Sequence, residues 1–135
     1  MIDADRIVEL ARECMGTPFR HQGRLPGKYL DCAGLLVHVL KSLGLPVLDN
    51  KGYPGRPFDG QLERIFEAEP SLMRIPKADM RAGDVWVCRI KKAPQHIMIF
   101  TGNTVIHTYS NTGRVVEQDA AAWVRHITHV YRIVE

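Results

Sequence analysis

The stretch His96-Ile97-Met98-Ile99-Phe100-Thr101-Gly102-Asn103-Thr104-Val105-Ile106-His107-Thr108-Tyr109 decides the architecture. Two β-rich runs, His96 to Thr101 and Thr104 to Tyr109, flank Gly102-Asn103, a pair suited to a tight hairpin turn. A two-residue turn sets Thr101 opposite Thr104, Phe100 opposite Val105 and Met98 opposite His107. Side chains alternate across a strand, so His96, Met98 and Phe100 share a face with Val105, His107 and Tyr109. His96 then lies diagonal to His107, with roughly 7–8 Å between Cα atoms, within reach for long side chains. One histidine can therefore orient the other. A three-residue turn would reverse the parity and separate them.

Outward from the hairpin the β pattern continues. Upstream, Asp84 to Ile90 reads as a strand (Val85, Trp86, Val87, Cys88). Downstream come a strand at Arg114 to Gln118, a short helix near Ala120 to Val124 and a last strand at Ile127 to Val134. The N-terminal half is helical instead. Asp3 or Asp5 caps a helix to Cys14 with Ile7, Leu10, Ala11 and Cys14 as its apolar stripe, and Gly16-Thr17-Pro18 stops it. Phe19 to Tyr29 reads as a loop. A second helix runs from Cys32 to Leu43, burying Leu35, Leu36, Val39, Leu40 and Leu43, and Gly44 and Pro46 end it. Val47 to Gly60 reads as a long loop, followed by a short helix from Gly60 to Ala68. Loops of that length tend to form functional rims, and this one carries Tyr53, Arg56, Phe58 and Asp59. Helices first and neighbouring strands after predict an α+β fold with a roughly five-stranded antiparallel sheet.

The chain has 135 residues, enough for a single domain over 1–135 and too few for a barrel of eight strand–helix units. The charge is +3, from 18 scattered basic and 15 acidic residues, with no basic face of the kind nucleic acid requires. No apolar run approaches the ~18 residues of a membrane span. The acids Asp3 and Asp5 stand where a secretion signal would be basic and then apolar, so synthesis in the cytoplasm without a signal peptide is expected.

Three well-separated cysteines, Cys14, Cys32 and Cys88, exclude a disulfide framework. Cys14 and Cys88 lie inside apolar segments and read as packing residues. Cys32, in Asp31-Cys32-Ala33-Gly34-Leu35, opens a helix. There the macrodipole and unpaired N–H groups favour a thiolate and lower a thiol from about 8.5, and the same N–H groups can hold an oxyanion. A nucleophilic cysteine needs a base, and His96 with His107 supplies a pair. A zinc site from Cys32, His96 and His107 has no evident fourth ligand. His38, His126 and His129 read as structural or surface residues.

These residues fall in five blocks. They are Gly16-Thr17-Pro18-Phe19-Arg20-His21-Gln22, Asp31-Cys32-Ala33-Gly34-Leu35-Leu36, Arg81-Ala82-Gly83-Asp84-Val85, Gln95 to Gly102, and Val105-Ile106-His107-Thr108. In order and spacing they resemble the NlpC/P60 family of papain-like cysteine peptidases. Phe19 to Gln22 looks most like the single-domain phage tail members. The resemblance implies that helices carrying the cysteine pack on an antiparallel sheet carrying the histidines. It implies Cys32 as nucleophile, His96 as general base and His107 as the residue that orients it. Asp31 would hold the substrate's amine, with Phe19 and His21 near the substrate. Ala33 stands where the family often has serine, and Phe19 where tyrosine is usual. The implied substrate is a peptidoglycan stem peptide, cut at a γ-D-glutamyl link to a diamino acid, with no metal or organic cofactor. Arg56 of the long loop would pair with a stem carboxylate. Phage tail proteins are the implied partners, and the cell wall or a virion the place of action. Two other readings stay open: an amidase or acyltransferase of the same superfamily, and a tail assembly protein with little activity.

Overall fold

Asp3 opens the first helix by accepting the Asp5 N–H at 2.9 Å. In the computed structural model, which describes residues 2–49, 61–90 and 93–135, this helix is α1, Ala4–Arg12. It buries Ile7, Val8, Leu10 and Ala11. The next segment, expected as plain loop, folds into a small ribbon in which β1 (Arg24–Leu25) pairs with β2 (Tyr29–Leu30). Strands of two residues have too little periodicity to be read from sequence.

Helix α2 (Cys32–Ser42) begins at Asp31 and ends in a Schellman motif. Gly44 sits at φ +73°, its N–H bonds to the Lys41 carbonyl, and the Leu45 N–H bonds to that of Leu40. The start of α2 is pressed onto the preceding loop. A Cβ on Gly34 would lie 2.1 Å from the Gly23 carbonyl oxygen, so only glycine fits at this position. Residues 50–60, the core of the expected long loop with Tyr53, Arg56, Phe58 and Asp59, lie outside the described residues. Helix α3 spans Gln61–Ala68.

Among the described residues the main sheet has six strands rather than the roughly five expected. They are β3 (Leu72–Ile75), β4 (Val85–Ile90), β5 (Ala93–Phe100), β6 (Thr104–His107), β7 (Val116–Asp119) and β8 (Ile127–Ile133), in the antiparallel order β3-β8-β4-β5-β6-β7. The unexpected strand is β3, which lies on the edge against β8. Only its end residues are buried, so it lacks the alternation that marks a strand in sequence. The helix expected near Ala120 to Val124 is two successive 3₁₀ turns, Ala120–Ala122 and Val124–His126.

One face of the sheet packs on the helices. Val85, Val87, Ile97, Ile99 and Ile106 join Leu10, Leu35, Val39 and Leu40 in the main core. The other face carries Trp86, Met98, Val105 and Val130 in a second cluster against which Trp123 packs. Asp84, buried at the head of β4, takes two hydrogen bonds from Arg132 of β8, each 2.9 Å, and caps its own turn through the Arg81 N–H. The Asp84 of the third sequence block therefore locks β4 to β8.

Candidate active site

The hairpin has the register expected of it. Phe100 faces Val105 and Ile99 faces Ile106. His96 and His107 are both buried, at 1% and 0% exposure. The Nε2 of His96 lies 2.6 Å from the Nδ1 of His107. The pair sits in an aromatic box. The His96 ring centroid is 4.8 Å from Tyr109 and 5.8 Å from Trp123, and His107 is 5.1 Å from Trp123.

Cys32 is on the helix side of the sheet and the histidines on the other, yet the topology brings them to one edge. Among the described residues β5 and β6 pair at Ile99–Ile106 and Phe100–Val105. The Phe100 N–H bonds towards β4, to the Asp84 carbonyl. By alternation the Ile97 N–H points to the β6 side. There it meets the Cys32 sulfur, which also receives the N–H of Ala33. The thiol thus lies against β5 one residue along from His96.

Electrostatics in this site run against the expected low thiol. Burial first, and then the neighbouring Asp31 carboxylate, push Cys32 up to about 12, while the Ile97 and Ala33 N–H groups and Arg24 oppose the rise. Burial, with His107 next to it, holds His96 well below the usual 6.5, and burial also lowers His107 against the opposing effect of its hydrogen bond to Gln118. With the thiol raised and the imidazole lowered, the proton stays on sulfur. Both directions favour a neutral thiol beside a neutral imidazole. The helix-end effect is real but smaller than the cost of burying the charge.

Both histidines carry a consequence for stability. The unfolded chain takes up protons near 6.5, whereas the folded chain resists them to lower pH. Between those limits the unfolded state binds more protons, so stability is full above about 6.5 and falls as pH drops below it. Calorimetry from pH 7.5 to 5 is expected to show Tm falling by several degrees, and falling less in His96→Asn. A flat profile in the wild type would mean that the pair is not buried and neutral.

Asp31 is buried and thoroughly engaged. Its carboxylate accepts the Gly34 N–H at 2.7 Å, the Gln22 N–H at 2.8 Å and the Arg24 guanidinium at 2.8 Å. It caps α2 and ties the preceding loop to the helix that presents Cys32. Arg24 spans to Asp49 at 2.8 Å, and Glu69 holds the Leu48 and Asp49 N–H groups. Phe19 is half-buried, its N–H on the Gly113 carbonyl and its backbone bridged to Leu30, and His21 is exposed. Asp31, Cys32, His96 and His107 thus gather at one end of α2, and Arg56 is outside the described residues.

The structure adds neighbours that sequence reading did not single out. Gln118 Oε1 lies 2.6 Å from His107 Nε2 and accepts the Trp123 indole N–H at 3.2 Å. Gln118 stands one strand further along the same diagonal as His96 and His107, since Val105 pairs with Gln118. The loop between β6 and β7 left that register unreadable.

Cys14 and Cys88 are fully buried packing residues. The Cys14 sulfur lies 3.8 Å from the Leu10 carbonyl and that of Cys88 3.9 Å from the Met98 sulfur. Burial raises their thiols to about 11 and about 12. Cys32, half-buried, is the most accessible of the three. Iodoacetamide is therefore expected to label Cys32 first, and faster as pH is raised towards its thiol's range. Earlier labelling of Cys14 or Cys88, read by peptide mapping, would remove Cys32 as the nucleophile.

A family model described as the NlpC/P60 family matches residues 16–132. Among curated proteins none matches the chain. Among solved structures the chain is similar to the NlpC/P60 domain of the peptidoglycan hydrolase SagA, with TM-score 0.65 and 19% identity over 98% of this chain and 100% of that one. It is similar to the peptidoglycan hydrolase RipB from Mycobacterium tuberculosis, with TM-score 0.68 and 18% identity over 98% of this chain and 65% of that one. An NlpC/P60 family protein from Bacillus cereus gives TM-score 0.74 at 16% identity, over 99% of this chain and 41% of that one.

Proposed function

From the premise that this chain belongs to the NlpC/P60 family, we propose that it is a cysteine-dependent hydrolase of peptidoglycan stem peptides. The observation that carries this reading is the meeting of a helix-opening thiol with the strand that bears a buried, oriented imidazole. The Cys32 sulfur takes the Ile97 N–H, and the adjacent His96 is bonded to His107 at 2.6 Å.

In this reading the Cys32 sulfur attacks the amide carbonyl carbon while its proton passes to His96. General-base transfer suits a pair that is neutral at rest. The C–N bond then breaks, and the imidazolium gives its proton to the leaving amine. A water molecule attacks the thioester, His96 takes a proton from it, and that proton returns to sulfur as the acid leaves. The N–H groups of Ala33 and Ile97, aimed at the sulfur, stabilise the charge it gains on the way. His107 keeps the His96 ring in place.

The bond proposed is the γ-D-glutamyl link to the diamino acid. The likeness of Phe19 to Gln22 to phage tail members supports action from a tail. Asp31 as holder of the substrate's amine would do so while capping α2. The experiment is digestion of purified peptidoglycan, with mass analysis of the fragments. Shortened stems with a new diamino-acid N-terminus are expected. Whole stems released from the sugar would make the protein an amidase, and an unchanged sacculus would leave it a structural component.

A further inference from the structure

Three hydrogen bonds in series run outward from the proposed base: His96 Nε2 to His107 Nδ1, His107 Nε2 to Gln118 Oε1, and Trp123 Nε1 to the same Oε1. From them we infer that Gln118 and Trp123 are positioning residues that select the tautomer of the histidine pair and leave the Nδ1 of His96 unprotonated. The inference rests on the reading of His96 as the base, and it assigns roles to two residues outside the catalytic set.

The chemistry propagates in one direction. An indole nitrogen only donates, so the Gln118 atom that faces Trp123 has to be the amide oxygen, and the amide cannot turn over without placing two donors together. That oxygen lies 2.6 Å from His107 Nε2, so Nε2 carries a proton and donates. A neutral imidazole holds one proton, which makes His107 Nδ1 an acceptor. The His96 Nε2 at 2.6 Å from it must then donate, and the single proton of a neutral His96 is used. What remains on His96 is a lone pair on Nδ1, the atom a general base needs. Both rings are neutral because both are buried.

The sheet makes the series possible. His96, His107 and Gln118 lie on β5, β6 and β7, each on the same face and each one diagonal step from the last. Trp123 comes from the 3₁₀ turns that follow β7 and covers the chain of bonds, with its ring 5.1 Å from His107 and 5.8 Å from His96. Gln118 is exposed on its outer side, so without the indole its amide would be free to rotate.

The test is long-range ¹H–¹⁵N spectroscopy of the intact protein at neutral pH, alongside kcat and KM on a defined stem peptide. In the wild type both rings are expected as the Nε2–H tautomer. Gln118→Leu removes the acceptor, and Trp123→Phe frees the amide. Each is expected to mix the tautomers and to lower kcat about 3- to 10-fold at constant KM, the loss one hydrogen bond accounts for. Gln118→Glu keeps an acceptor and should restore the Nε2–H tautomer of both rings. An Nδ1–H tautomer on either histidine of the wild type overturns the inference without any variant having to fold. Unchanged tautomers in both Gln118→Leu and Trp123→Phe overturn it too. If the tautomers are as stated but the wild type cuts no stem peptide, the proposed activity fails and the tautomer assignment stands.

Discussion

Hydrolysis of a stem peptide is expected to fall to background in Cys32→Ala and in His96→Ala, and to survive in part in His107→Gln. Without the Cys32 sulfur no thioester can form. Without His96 there is neither an acceptor for the thiol proton nor a donor for the leaving amine, and a general base contributes roughly 10²–10⁴-fold. That share is at the upper end here, because burial holds the Cys32 thiol at about 12 and too little thiolate exists at neutral pH to react unaided. In the proposed mechanism His107 acts through His96, to which it is bonded at 2.6 Å. A glutamine in its place can still accept that N–H, so a partial loss is expected. Single-turnover assays on a defined muropeptide would measure all three. Equal and mild losses in the two histidine variants would reduce the pair to packing. An active Cys32→Ala would remove the mechanism altogether.

Arg24→Met is expected to cost about 3–5 kcal/mol, the effect of stranding charges in a partly buried ionic group. Arg24 lies between Asp31 and Asp49, 2.8 Å from each, and the three side chains are only 12%, 5% and 13% exposed. Removing the cation takes from two carboxylates the guanidinium they share. One of them caps the helix that presents Cys32. By the usual relation between stability and melting temperature the loss is about 10–20 °C in Tm. The variant should also raise the Cys32 thiol further, since Arg24 is one of the groups holding it down. Adding Asp31→Asn and Asp49→Asn to Arg24→Met should recover part of the stability, because neutral polar groups are less costly to bury than unpaired charges. Calorimetry of the single and triple variants decides the matter. A Tm within two or three degrees of wild type for Arg24→Met would mean that the network is a solvated surface feature.

Much of this site was legible because its parts are local. The hairpin turn at Gly102-Asn103 sets the register of His96 against His107 through the alternation of side chains, and no distant contact is needed to read it. Asp31 before Cys32, with Gly44 and Pro46 at the far end, marks a helix by its caps. What stayed hidden depends on contacts between remote segments. The ribbon Arg24–Leu25 with Tyr29–Leu30 is too short to show a period, and the edge strand Leu72–Ile75 exists because β8 is there to pair with it. Arg24 looks like one more loop cation until folding places it between two acids. Gln118 reads as an ordinary strand residue until β7 lies against β6.

By itself the sequence determined the order of the three helices and of strands β4 to β8, the face shared by the two histidines and the position of one cysteine at a helix start. Those follow from backbone periodicity, capping and turn chemistry, which act over a few residues. Tertiary structure alone decided the charge state of the site. A helix N-terminus favours a thiolate, but the packing of α2 against β5 buries the Cys32 sulfur beside the carboxylate of Asp31, the residue before it in the chain. Together these push the thiol to about 12 and reverse the local preference. Desolvation depends on everything that surrounds a group, and for this cysteine those surroundings include Ile97 of β5, more than sixty residues further along the chain.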